Sequence, residues 1–83
     1  MALLIPERLA SLAAAENLAV MKTLPGRCHE LASNLDGYLA IDLVHPDRLV
    51  FRPIDDPLPK LEGGGLDWRG VRRVEIWRIG DYH

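Results

Sequence analysis

The sequence predicts an α+β domain in which an N-terminal helix, followed by a short helical turn, packs on a small antiparallel sheet of three to four strands. Three observations predict it. A run rich in Ala, Leu, Glu and Arg opens the chain, two alternating segments flank a His-Pro-Asp turn near its middle, and a further extended segment closes it. With 83 residues the chain is a single domain. A domain of this size buries only about 60–65% of its unfolded surface, which leaves a thin margin of stability.

Pro6 suits the first turn of a helix, where its missing N–H costs nothing. Good helix formers run from Glu7 to Glu16, and a 3.6-residue period puts Leu9, Leu12, Ala13 and Glu16 on one face. Asn17 reads as a stop and a fresh N-cap, and Leu18 to Leu24 as a second, short helical piece ended by Pro25-Gly26. A short extended piece around His29 to Leu31 is a fourth candidate strand. Tyr38 to Leu43 alternates, with Leu39, Ile41 and Leu43 opposite Tyr38, Ala40 and Asp42. Arg48 to Pro53 alternates in the same way, with Leu49 and Phe51 opposite Arg48, Val50 and Arg52. The compact turn His45-Pro46-Asp47 between them predicts an antiparallel hairpin. Pro53 to Trp68 is a long connection whose prolines and Gly63-Gly64-Gly65 run exclude regular structure, the glycines reading as a flexible linker turn. Asp67-Trp68-Arg69 returns the chain to the body with Trp68 as anchor, and a last strand spans roughly Arg72 to Ile79. One helix is too little to cover such a sheet, so part of it is expected to stay open.

Composition narrows the function classes. A hydrophobic fraction of 48% is that of a folded protein rather than a disordered one. The formal net charge of −2 lacks the overall basic balance of a typical nucleic-acid binder, so any such activity must use a local patch. Cys28 is the one cysteine; no internal disulfide can form, which fits a reducing cytoplasm. The apolar Met-Ala-Leu-Leu-Ile start is too short for a signal peptide, and no stretch approaches membrane-spanning length. We therefore expect a cytoplasmic protein with no membrane partner.

Most chemical motifs are absent. The glycine run has no Lys-Ser/Thr after it and opens no helix, so it is no phosphate loop. His29, His45 and His83 are scattered, without the spacing of a metal site, and no cofactor is expected. Cys28 and His29 are adjacent and so point to opposite faces of an extended chain; Cys28 reads as a buried thiol. What remains is a set of cations and imidazoles: Arg27, His29, Arg48 and Arg52, with Tyr82 and His83 where the last strand meets the end of the sequence. Converging on one face, Arg48, His29 and His83 would suit metal-free RNA cleavage. A base takes the ribose 2′-hydroxyl proton, arginines balance the charge building on phosphorus, and an acid protonates the leaving oxygen. Each residue also has a purely structural reading. A strand arginine is equally a solvated side chain or a partner of Asp42, His29 a turn residue, and Tyr82 a ring over the core.

The segment Leu24-Pro25-Gly26-Arg27-Cys28-His29-Glu30-Leu31 resembles a stretch of the HigB-type toxins, plasmid-maintenance killer proteins of the RelE/ParE superfamily. The likeness continues through Asp36-Gly37-Tyr38, Pro46-Asp47-Arg48-Leu49-Val50-Phe51-Arg52-Pro53, Gly64-Gly65-Leu66-Asp67-Trp68, Val74-Glu75-Ile76 and Asp81-Tyr82-His83. It runs from about Glu7 to the end. It implies a RelE/ParE-like fold and a toxin that cuts messenger RNA on the translating ribosome without a metal. A cognate antitoxin with a helix-turn-helix DNA-binding domain would neutralise it. By the same resemblance Arg48 matches the phosphate-stabilising arginine and Tyr82 and His83 the catalytic pair. Asp81 beside them and His29, with Arg27 and Arg52, would contact RNA.

The sequence also departs from that pattern. Where the family commonly has Lys/Thr-Gly-Asp-Arg after the His-x-Leu segment, this chain has the uncharged Ala32-Ser33-Asn34-Leu35, and Val44 stands at a position often basic in nuclease members. The family's first strand and first helix have no counterpart here. These departures imply a second reading: a catalytically weakened or inactive homologue acting as an antitoxin-binding module, or forming a homodimer through an uncovered sheet. The Asp-Tyr-His ending resembles the nuclease branch rather than the gyrase-targeting ParE branch.

Overall fold

The computed structural model describes residues 4–44 and 46–80. One α-helix packs on a four-stranded antiparallel sheet, as the sequence predicts. Helix α1 spans Leu4–Ala14. It starts three residues before the predicted Glu7, with Pro6 still in its first turn, and stops two residues before Glu16. The stop has a local cause: Asn17 turns extended, and its Oδ1 accepts the N–H of Ala19 at 3.0 Å, capping a 3₁₀ turn over Leu18–Thr23. Ile5, Leu9, Leu12 and, beyond the helix, Ala15 pack against the core. Ala13 and Glu16, expected on the same face, are exposed. Leu9 and Leu12 thus lie on the packed face as predicted, and the stripe runs back to Ile5 at i, i+4, i+7 spacing instead of taking in Ala13 and Glu16.

The strands are β1 (His29–Glu30), β2 (Leu39–Asp42), β3 (Arg48–Pro53) and β4 (Val74–Gly80), lying side by side in that order. β2 and β3 form the predicted hairpin, closed by hydrogen bonds from Leu43 N–H to the Asp47 carbonyl and from Asp47 N–H to the Val44 carbonyl. His45 lies outside the described residues. Alternation holds across the hairpin: Leu39, Ile41, Leu43, Leu49 and Phe51 point to the helix and form the core with Leu18, Met21, Trp68 and Val71. A fully buried Phe51 alone stabilises by about 1.5–3 kcal/mol through transfer out of water.

The long connection is better tied than a flexible linker. Leu61 and Gly65 are joined by a 2.6 Å hydrogen bond from the Leu61 N–H, Lys60 bridges to Leu66, and Gly64 takes a positive φ of 100° to close the turn. Asp55 accepts the N–H groups of Arg72 and Arg73 at 3.1–3.2 Å. Trp68 is the predicted anchor: it is buried, its Nε1–H donates to Glu30 at 2.9 Å, and the Lys22 ammonium sits 4.4 Å from its ring centre.

Coverage of the sheet is partial. Ile76 and Ile79 of β4 remain about 40% exposed, and Ile76 lines an open groove of about 450 Å³ with Leu9, Leu12, Ile54 and Val74. No helix among the described residues is long and apolar enough to cross a membrane.

Candidate functional site

The candidate site is the sheet face turned away from α1. Strand register decides what stands on it. Asp42 pairs with Arg48 and Arg48 with Gly80; His29 pairs with Ala40, Ala40 with Val50 and Val50 with Arg78; Arg52 pairs with Glu75. Residues in register share a face, and alternate residues along a strand do too. His29, Arg48, Arg52 and Arg78 are therefore brought together on one side of the sheet, with Asp42 and Glu75 among them. Tyr38, just before β2, continues the same face.

A bulge adds one member that alternation cannot supply. β4 has one residue more than β3 between the Val50–Arg78 and Phe51–Ile76 pairs, and that residue is Trp77. Its ring lies 5.1 Å from that of Tyr38, tilted by 49°, and the Arg78 guanidinium carbon is 5.3 Å from its centre. Ala40 and Val50 are fully buried although they lie on the side away from the helix, beside this aromatic pair.

The cations differ in how they are held. Gly26 adopts φ 115° and Arg27 φ 48°, and the Gly26 carbonyl accepts the Asp42 N–H at 2.6 Å. This turn brings Arg27 to Asp42, whose Oδ2 accepts from Arg27 Nε at 2.7 Å. Arg48 approaches the other oxygen, Nε to Oδ1 3.6 Å, an ion pair too long for a hydrogen bond. One carboxylate thus aligns two guanidinium groups on an open hollow of about 140 Å³ whose rim includes Pro46 and Asp47. Arg48 is the more enclosed of the two, its side chain 21% exposed against 80% for Arg27. Arg52 pairs with Glu75 at 3.2 Å in an exposed contact worth little in water. The sequence's structural reading of the strand arginines is thus met for both, while their placement on one face is met as well.

His29 Nδ1–H donates to the Arg27 carbonyl at 2.6 Å. In the neutral ring this tautomer leaves the lone pair on Nε2, the state a proton acceptor needs. Burial pushes the Cys28 thiol up to about 12, against a small opposing pull from Lys22, so it is no nucleophile near neutral pH. Among the described residues no three His, Cys, Asp or Glu side chains gather as a metal site requires. Asp81, Tyr82 and His83 lie outside the described residues. Gly80, from which they continue, is the register partner of Arg48.

Larger hollows lie elsewhere, the groove beside α1 and one of about 560 Å³ along Lys22, Leu66 and Trp68. Neither contains His29, Arg48 or Arg52; the cationic site is a face rather than a cavity. Sequence reasoning missed Trp77 and Arg78. A strand of mixed polarity with an unseen extra residue gives no readable alternation, so its faces could not be assigned. No known protein family, characterised protein or solved structure matches this chain.

Proposed function

We propose that the chain is a HigB-like toxin of a type II toxin–antitoxin system, a metal-independent endoribonuclease that cuts messenger RNA on the ribosome. The observation that carries this reading is the common face of His29, Arg48 and Arg52, with Arg48 in register with the residue that leads into Asp81-Tyr82-His83. In the proposed reaction the ribose 2′-oxygen gives up its proton to a base and bonds to phosphorus. The P–O5′ bond breaks and an acid protonates the departing oxygen, leaving a 2′,3′-cyclic phosphate. Tyr82 and His83 take the proton-handling roles that the family resemblance implies. Arg48, half enclosed and oriented by Asp42, balances charge on the phosphate, a contribution that strengthens where water is excluded. Arg27, His29, Arg52 and Asp81 contact the strand around the cut.

The test is expression without the antitoxin. Wild type should arrest growth and leave cleaved messenger on ribosomes; Arg48→Ala, or loss of Tyr82 and His83, should abolish both. General acid–base help alone contributes about 10²–10⁴-fold, so residual cleavage should fall at least that far. Equal toxicity of both variants, or no cleavage by wild type, sinks the assignment.

A second reading, a toxin homologue kept as an antitoxin-binding or dimerising module, is favoured by the open groove and the exposed Ile76 and Ile79 on edge strand β4. Cleavage of ribosome-bound messenger by purified protein removes it.

A further inference from the structure

The two edges of the sheet differ. β1 has two residues, whereas β4 has seven and pairs on one side only, with β3. Among the described residues, no backbone hydrogen bond outside the sheet engages Val74–Gly80. An edge of that length presents a row of N–H and C=O groups to a further strand. Register sets Val74 beside Pro53, Ile76 beside Phe51 and Ile79 beside Leu49, so these three stand on the α1 side of β4. There Val74 and Ile76 form one wall of the open groove of about 450 Å³, and Leu9 and Leu12 the other. The groove is apolar except for Arg72 and Arg73, and no carboxylate lines it. Asp55 accepts the backbone N–H groups of both arginines, and Arg72 Nη1 donates to the Glu16 carbonyl at 3.2 Å. Neither guanidinium forms an ion pair among the described residues.

We propose that β4 takes an added strand from another protein: an extended segment whose apolar side chains fill the groove and whose carboxylates meet Arg72 and Arg73. In such an addition main-chain hydrogen bonds give affinity, and alternate side chains seated in the groove give specificity. Charge selects the occupant. A second copy of this chain offers its own β4, but that strand's one carboxylate, Glu75, stands on the face away from α1 and is paired with Arg52 at 3.2 Å. Self-pairing through β4 therefore supplies no acid to the groove, whereas an acidic segment answers both arginines. A helix laid in the groove would cover its apolar walls and leave the outer N–H and C=O groups of β4 unpaired. The proposal rests on the second reading above, in which the open side of the sheet takes a protein, and adds the strand it uses and the chemistry of the partner.

The probe is a display library of short random peptides selected on the purified full chain. Selected peptides should be enriched in Asp and Glu and should alternate Val or Ile with polar residues. Anisotropy on the strongest of them should show Arg73→Lys within about threefold of wild type, and Arg73→Glu and Ile76→Lys each weaker by roughly tenfold or more. Both positions are exposed, so the variants should melt as wild type does; Ile79→Lys, also exposed, replaces Ile76→Lys if that variant melts early. Methylating alternate backbone nitrogens of the peptide keeps its side chains and charge but removes the strand's donors, and should abolish binding. A selection without acidic enrichment, binding indifferent to Arg73→Glu or to Ile76→Lys, equal binding of the methylated peptide, or no binder at all overturns the proposal. Self-association that Ile76→Lys abolishes, with no acidic binder, overturns it and leaves the dimerising form of the second reading standing. Acidic-peptide binding together with cleavage of ribosomal messenger sustains the docking strand and removes the inactive-homologue reading.

Discussion

At the scale of single residues, Gly26 does more than end a helical turn. A Cβ there would stand 2.6 Å from Ile41 Cγ2, and its φ of 115° lies where side chains are strained. Strain and overlap together predict that Gly26→Ala costs about 2–4 kcal/mol. Gly37 is the control, since its φ is 93° but nothing lies within 4 Å of the added carbon. Gly37→Ala should therefore show the conformational part alone. Chemical denaturation of the two variants decides it: equal losses would mean that the approach to Ile41 is not tight. Gly26 also sets Arg27 beside Asp42, so the same change should loosen the cationic hollow. Cys28 supplies a pH dependence. The folded protein holds its thiol protonated to about 12 because of burial, against 9.0 for an ordinary thiol. A raised folded pKa contributes stability that is whole below about pH 9 and is lost as pH rises toward 12. The stability gap between wild type and Cys28→Ala should shrink accordingly between pH 8 and pH 11 in urea melts; a gap independent of pH would show that the thiol is not buried.

At the scale of elements, legibility followed the regularity of each segment. The hairpin of β2 and β3 was readable because both strands alternate cleanly and the turn between them is compact; Leu39, Ile41, Leu49 and Phe51 lie on the face that alternation gives them. Arg48 and Arg52 followed for the same reason. Asn17 was readable as a cap because its side chain serves a purely local hydrogen bond. The helix face was readable at Leu9 and Leu12 and missed at Ala13, since Ala, the weakest apolar signal, occupies both Ala13 and Ala15, and only packing chooses between them. β4 resisted for a different cause. Its bulge at Trp77 sets the pairs above and below it out of parity, so a period of two assigns Trp77 and Arg78 to opposite faces. Register with β3, a contact between residues far apart in sequence, was needed to put Arg78 beside Val50. The glycine run was readable as a turn, whereas the bridge from Lys60 to Leu66 that flanks it joins residues that composition does not pair.

At the scale of the molecule, charge is partitioned rather than merely low. Among the described residues, Arg27, Arg48, Arg52 and Arg78 share the face away from α1 with Asp42 and Glu75, whereas the chain as a whole carries a net charge of −2. The acidic remainder opposes long-range attraction to RNA, while the face itself is attractive at distances shorter than the screening length of about 8 Å at physiological salt. Binding should thus be short-ranged and driven by few phosphates. Each phosphate neutralised on a single strand contributes about −0.7 to the slope of log K against log salt. Contacts from Arg48 and Arg52 predict a slope near −1.4, and recruitment of Arg27 and Arg78 a limit near −2.8. Arg52→Ala should lower the magnitude by about 0.7, provided its exposed pairing with Glu75 yields to phosphate. Glu75→Gln should raise affinity, because it frees Arg52 and removes a like charge from the path of the strand. A salt titration of a short 2′-O-methyl RNA, which cannot be cut because its nucleophile is blocked, measures all three proteins in one series. A slope that ignores Arg52 would move the strand off β3, and a slope steeper than −3 would require cations from beyond this face.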